Sequence, residues 1–149
     1  MSADLEPRVG EVNPSDAWRT LGDRPSAALI DVRTSAEWDY VGVPDLSELG
    51  QALYKIEWAQ YPDMSVNPRF VAEVIEQTSA LSPGAYLFLC RSGVRSLRAA
   101  KALAEHLSNT GNDAECLNVA EGFEGDLDSQ GHRGVQNGWK ARGLAWRQS

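Results

Sequence analysis

Apolar residues occur along the chain in two patterns, as short continuous runs and as rows at helical spacing. The run 85–89, and the run 27–32, which is apolar until Asp31, are typical of buried strands, and 114–119 is predicted to be the last strand. Over 53–58, alternate positions carry only aromatic or aliphatic side chains, which predicts a half-buried strand. Residues 8–12 predict a short edge strand. The pattern therefore predicts about five strands.

Signals for helices separate these strands. Asn-Pro at 13–14, and again at 67–68, is a cap followed by proline at the first helical position. The sequence Thr-x-x-Glu at 34–37 matches a capping box and predicts a short helix. An apolar stripe and an opposite charged stripe predict a helix over 97–107. Strands alternating with helices predict an α/β fold, with a mostly parallel central sheet and helices on both of its faces.

The length of the chain favours one domain that covers residues 1–149. Its predicted core spans about 8–127. The tail, 128–149, is rich in glycine but contains Trp139 and Trp146. Because tryptophan side chains gain much free energy from burial, we expect the tail to dock on the core.

The net charge is −7, which argues against nucleic acid or an anionic membrane as a partner. No apolar stretch reaches the length of a membrane-spanning helix, and the first residues do not resemble a secretory signal. Cys90 and Cys116 occupy different contexts and do not suggest a disulfide framework, which fits a reducing cytoplasm. His106 and His132 lack metal-ligand spacing with the cysteines, so we expect no metal.

The turn that begins at Cys90 carries the strongest chemical signal. It connects the buried strand 85–89 to the next helix, so unpaired N–H groups and the positive end of the helix dipole lie close to the cysteine. Arg91 and Arg95 add positive charge, and Gly93 allows the backbone to curl with a positive φ. We expect this setting to favour the nucleophilic thiolate. Cys116 lies mid-strand and is predicted to be a small core residue.

The sequence Cys-Arg-Ser-Gly-Val-Arg-Ser at 90–96 resembles the active-site loop of the rhodanese-like sulfurtransferases, in which a cysteine carries sulfur as a persulfide. Asp-Val-Arg at 31–33, followed by Glu-Trp at 37–38, resembles a second element of that family. The segment 118–123 resembles its late Gly-aromatic segment. The chain departs from the family at 42–45, where it has Gly-Val-Pro-Asp in place of Gly-His and a Gly-Ala turn. No histidine is therefore carried over to that position.

The resemblance implies a single-domain sulfurtransferase that needs no cofactor. Cys90 would take sulfane sulfur from thiosulfate or a persulfide and pass it to a thiol, to cyanide or to a protein acceptor. Three supporting residues, Asp31, Arg33 and Glu37, are expected to brace the site rather than react, with Arg33 paired to Asp31 or Glu37. The loop expected to bind the anionic donor comprises Arg91, Ser92, Gly93, Val94, Arg95 and Ser96, with Arg95 pointing inward.

Two other functions fit parts of the pattern. A cysteine and an arginine at a helix N-terminus also occur in phosphatases, because such a turn binds phosphate. Tyrosine-phosphatase-like enzymes have five residues between the two, whereas Cys90 and Arg95 are separated by four. A non-catalytic binding or sensing module with the same fold is the third possibility, although such domains usually lose the cysteine. Trp58 and Tyr61 either line the pocket or belong to the core.

Overall fold

A five-stranded parallel sheet forms the centre of the molecule. The computed structural model describes residues 9–148, so Arg8 of the predicted edge strand, the segment before it and Ser149 lie outside the described residues. All four neighbouring pairs in the sheet are parallel, which confirms the predicted α/β class. In spatial order the strands are β1 (Gly10–Val12), β8 (Glu115–Val119), β7 (Ala85–Leu89), β2 (Ala27–Asp31) and β4 (Leu53–Lys55).

Four α-helices connect these strands, and two of them begin with the caps that the sequence predicts. The Asn13 side chain accepts a hydrogen bond from the Asp16 N–H, and Pro14 starts the first helix. Thr34 and Glu37 form a complete capping box at the second. The helices are α1 (Pro14–Asp23), α2 (Ser35–Tyr40), α3 (Phe70–Thr78) and α4 (Val94–Asn109), and a 3₁₀ turn covers Ser47–Leu49.

Helices cover both faces of the sheet, as predicted. On one face, α3 and α4 bury Phe70, Leu103 and their neighbours against side chains of β2 and β7. On the other face, α1 contributes Leu21 and the C-terminal segment contributes Trp139. Because successive side chains of a strand point to opposite faces, the continuous apolar runs of β2 and β7 supply both cores.

The structure differs from the sequence-based boundaries between Trp58 and α3, and at the end of β4. Helix α3 begins at Phe70 and not after Asn67, because the Asn67 side chain and carbonyl accept from Arg69 and Phe70 and hold a separate turn. Strand β4 ends at Lys55, earlier than predicted. The segment after Trp58, for which no strand is predicted, contains a small hairpin, formed by β5 (Ala59–Gln60) and β6 (Ser65–Val66).

The C-terminal segment packs against the rest of the chain. Trp139 is fully buried, lies edge-on to Trp18 at 6.0 Å, and donates its indole N–H to the Ala145 carbonyl at 2.9 Å. Strand β9 (Trp146–Arg147) pairs antiparallel with β3 (Val43–Pro44). Among residues 9–148, the helices are all too short or too polar to cross a bilayer.

Candidate active site

The predicted site residues lie at the carboxyl ends of two adjacent strands. Strand β2 ends at Asp31 and β7 ends at Leu89, and these two residues are register partners in the sheet. The Val32 N–H donates to the Leu89 carbonyl at 2.9 Å and extends this pairing by one residue. Asp31 and Cys90 are therefore brought to the same edge of the sheet, where parallel α/β folds place their sites.

The turn after Cys90 is shorter than the sequence predicts. Gly93 has φ +114° and caps α4, which begins at Val94 and not at residue 97. The positive φ of the glycine reverses the chain within three residues, so Arg95 and Ser96 lie in the first helical turn. The Gly93 N–H donates to Cys90 Sγ at 3.1 Å. One N–H group therefore points directly at the sulfur, at the positive end of a 16-residue helix.

Two buried polar side chains lie behind the sulfur. Cys90 is only 1% exposed, and its thiol donates to Ser96 Oγ at 3.2 Å. The Ser96 hydroxyl in turn donates to Asn118 Oδ1 at 2.5 Å. Sequence reasoning assigned Ser96 to the loop but gave Asn118 no separate role. The signal that could have found Asn118 is an amide between the apolar residues Leu117 and Val119 of the strand next to β7.

Arg95 forms a bidentate ion pair with Glu37, at 2.7 and 2.8 Å. Burial alone would raise the pKa of Glu37, but the hydrogen bonds and charge of Arg95, together with Thr34, lower it below its ordinary value. Burial would also lower the pKa of Arg95, whereas Glu37, and to a lesser extent Cys90 and Asp31, raise it. Arg95 thus reaches the pocket, but its guanidinium is turned to a carboxylate.

The partner of Arg33 is Asp31, one of the two partners predicted. Arg33 Nε and Nη2 donate to the two Asp31 carboxylate oxygens at 2.9 and 2.7 Å, and both side chains are fully buried. Nη2 also donates to the Gly42 carbonyl at 2.7 Å, and the guanidinium lies 4.3 Å from the centre of the Phe123 ring. The pair therefore joins the end of β2 to the segment where the chain departs from the family pattern.

The late Gly-aromatic segment fixes the position of the Cys90 turn. The Phe123 N–H donates to the Cys90 carbonyl at 2.8 Å, and the Gly125 N–H donates to the Arg91 carbonyl at 3.1 Å. Gly122 has φ +68°, and a Cβ atom there would lie 2.5 Å from the Cys90 carbonyl oxygen and from the Arg91 carbonyl group. Glycine is required at 122 because only a residue without a side chain allows this approach.

A pocket of about 380 Å³ opens beside the turn. Tyr61 contributes to its lining, whereas Trp58 packs edge-on against Phe70 at 5.2 Å, in the core. Of the predicted loop, Arg91 and Arg95 reach the pocket. The lining residues are Glu37, Val41, Tyr61, Met64, Arg91, Arg95, Glu124 and Arg133.

Three known proteins resemble this chain over nearly its whole length. The crystal structure of Rv0390 from M. tuberculosis is 46% identical, with 95% of this chain and 98% of that one covered and a TM-score of 0.80. An uncharacterized protein of Rickettsia conorii is 32% identical over 138 residues, which is 93% of this chain and 97% of the relative. A rhodanese-like domain protein from Staphylococcus aureus shares the fold at 15% identity and a TM-score of 0.51, with 95% and 99% covered. No protein-family model matches the sequence.

Proposed function

Because the chain belongs to the rhodanese-like domain family, we propose that it is a sulfurtransferase with Cys90 as the sulfur carrier. It takes sulfane sulfur from thiosulfate or a persulfide and passes it to a thiol or cyanide. The observation that supports this most directly is the hydrogen bond of 3.1 Å from the Gly93 N–H to Cys90 Sγ at the start of α4. An N–H group aimed at a sulfur atom stabilises negative charge on it without a proton transfer.

The first half-reaction loads the cysteine. The Cys90 thiolate attacks the outer sulfur of the donor, and a sulfur–sulfur bond forms on Cys90. The bond between that sulfur and the rest of the donor breaks, and the remainder leaves with the electron pair, as sulfite when the donor is thiosulfate. The negative charge on the new outer sulfur is stabilised by N–H groups of the turn and of the first helical residues, which have no acceptors within the helix.

The second half-reaction unloads it. The acceptor, as a thiolate or cyanide, attacks the outer sulfur, and the sulfur–sulfur bond to Cys90 breaks. Cys90 leaves as a thiolate with the electron pair and is ready for another donor. Neither half-reaction needs electrons from outside or a cofactor.

Arg91 is the donor-binding group in this proposal. Arg95 is held by Glu37, whereas the exposed Arg91 guanidinium makes no hydrogen bond or ion pair with the described residues. A free guanidinium at the rim of the pocket suits the anionic oxygens of thiosulfate. A cytoplasmic location and a protein acceptor stay predictions from the sequence.

The phosphatase alternative has less support. Four residues separate Cys90 from Arg95, and both terminal nitrogens of Arg95 are turned to Glu37. An arginine that chelates phosphate would have to turn its planar fork towards the oxygens instead.

Formation of thiocyanate from thiosulfate and cyanide tests the proposal. We expect turnover by the parent protein and by Cys116→Ser, and none by Cys90→Ser. The same samples are assayed with an aryl phosphate. Phosphate release that depends on Cys90, without thiocyanate, would support the phosphatase instead. Absence of both activities, with persulfide donors as well, would support a non-catalytic module.

A further inference from the structure

The pocket beside the Cys90 turn is lined by unpaired groups of both charges. We propose that it selects an acceptor thiol that carries a carboxylate and an ammonium on one short skeleton, as an amino-acid thiol does. This inference rests on the proposed sulfurtransferase function and deepens it by assigning roles to Glu124 and Arg133. Neither residue was assigned a role from the sequence.

The charges in the pocket divide into a neutralised pair and three unpaired groups. Arg95 and Glu37 neutralise each other at 2.7 and 2.8 Å. Arg91 has no partner among residues 9–148, and Arg133 donates only to a backbone carbonyl, that of Gly125, at 2.7 Å. The Glu124 carboxylate forms no hydrogen bond or ion pair within the same part of the chain, although its charge acts on Lys140. The pocket therefore offers two cations and one anion to a ligand.

Hydrogen bonds to the backbone hold in place the segments that carry these charges. The Glu124 N–H donates to the Arg91 carbonyl at 3.1 Å, and the Glu124 carbonyl accepts from the Gly134 N–H at 2.7 Å. Arg133 is held by its bond to Gly125. Three segments are thus fixed relative to one another and to the cysteine turn. Opposite charges that line one pocket without pairing are arranged for a ligand that carries both complementary groups.

The remaining lining and the size of the pocket agree with a small ligand of this kind. Val41, Tyr61 and Met64 supply apolar surface for a short carbon skeleton. The volume of about 380 Å³ lies near the lower end of the range for small-molecule sites. In the transfer step, the acceptor thiolate attacks the outer sulfur of the Cys90 persulfide and leaves as its own persulfide. Arg133 would bind its carboxylate and Glu124 its ammonium group.

Single-turnover transfer from the loaded protein tests the assignment. Loss of the extra sulfur mass is followed with four acceptors, namely L-cysteine, 3-mercaptopropionate without the ammonium, cysteamine without the carboxylate, and cyanide without either. Each rate is divided by the cyanide rate of the same variant, and variants are compared with the parent. Differences in thiol reactivity then cancel, because each acceptor is compared only with itself.

We expect Glu124→Gln to lower the relative rate for cysteine and cysteamine about two- to fivefold, and to leave that for 3-mercaptopropionate unchanged. A loss of this factor corresponds to the free energy that a solvent-accessible ion pair contributes. Arg133→Gln should lower the relative rate for cysteine and 3-mercaptopropionate similarly, and not that for cysteamine. Arg133→Lys should restore most of the loss. Arg98→Gln, on the exposed side of α4, is the matched control and should change none of the ratios.

Equal relative rates in the parent and both Gln variants, or equal losses with all three thiols, would overturn the assignment while leaving sulfur transfer intact. Failure of the parent to load sulfur from any donor would instead overturn the proposed function itself, and this inference with it.

Discussion

Cys116 lies in β8 and Cys90 directly follows the neighbouring strand β7; the two are almost equally buried, at 3% and 1% exposure, yet their sulfur atoms have different polar contacts. Both belong to the core on the α3–α4 face. Cys116 lies within β8, opposite Tyr86, and burial raises the pKa of its thiol to about 12. Cys90 lies one residue beyond β7, where the Gly93 N–H and Ser96 Oγ contact its sulfur.

The comparison teaches that burial does not by itself separate a structural cysteine from a reactive one. Inside a strand, the backbone N–H groups are used by the ladder and none is left for a side chain. At the end of a strand that turns into a helix, N–H groups are free to point at the sulfur. Whether a buried cysteine has N–H groups near its sulfur therefore depends on its position relative to the end of the strand.

The largest expected effect is the difference between the alkylation rates of the two thiols. With a pKa of about 12, Cys116 has a thiolate fraction on the order of 10⁻⁵ at pH 7. We expect iodoacetamide to label the native protein once, at Cys90, and the unfolded protein twice. Native Cys90→Ser should remain unlabelled until the pH approaches 12. Labelling of native Cys116 at a rate comparable with that of Cys90 would contradict the assignment of Cys90 as the reactive cysteine and Cys116 as a structural one.

A second test changes Gly122, which contacts the backbone of the Cys90 turn and not that of Cys116. A Cβ at 122 would clash with the Cys90 and Arg91 backbone at 2.5 Å. We expect Gly122→Ala to lose about 2–3 kcal/mol of unfolding free energy in urea, and most of the sulfur transfer. Gly111→Ala is the matched control, since Gly111 also has a positive φ, +73°, but nothing lies within 4 Å. Equal losses in both variants would show that backbone strain alone is responsible.

The ion pair beside Cys90 should give the smallest effect. The Arg95 and Glu37 side chains are 21% and 16% exposed, so we expect a coupling free energy of about 1–2 kcal/mol, between those of exposed and buried pairs. A double-mutant cycle with Arg95→Ala and Glu37→Gln measures it by urea unfolding at neutral pH. The pair of Arg69 and Glu76, each 65% exposed, is the control cycle and should couple less.

The pKa of Glu37 determines how the stabilisation by this ion pair changes with pH. Its pKa in the folded protein is below 4.5, the ordinary value, so the carboxylate binds fewer protons when folded than when unfolded. The stabilisation is therefore complete above that ordinary value and is lost as the pH falls through the folded pKa. A coupling that stays constant or grows in acid would contradict the ion-pair geometry.

The sequence predicts local features of the molecule well. The strand 85–89, the capping box at 34–37 and the turn at Cys90 each depend on neighbouring residues, so a short window contains the needed information. The alternation of strands and helices also predicts the parallel sheet, because crossovers of that length allow few other arrangements.

Contacts between distant segments explain what the sequence could not predict. Arg95 and Glu37 are 58 positions apart, and either Arg33 or Arg95 could have reached the same carboxylate. The pocket lining from Glu124 and Arg133 depends on how the C-terminal segment packs, and that segment contains mostly turns with no periodic pattern. The polar chain behind Cys90 joins Ser96 of α4 to Asn118 of β8, two residues that are 22 positions apart.

The most direct test of the central claim is the mass of the intact protein after incubation with thiosulfate or an organic persulfide, followed by peptide mapping. We predict a gain of one sulfur atom, located on the peptide that contains Cys90, in the parent and in Cys116→Ser, and no gain in Cys90→Ser. Sulfur found on Cys116, or an unchanged mass with every donor, would contradict the assignment of Cys90 as the sulfur carrier.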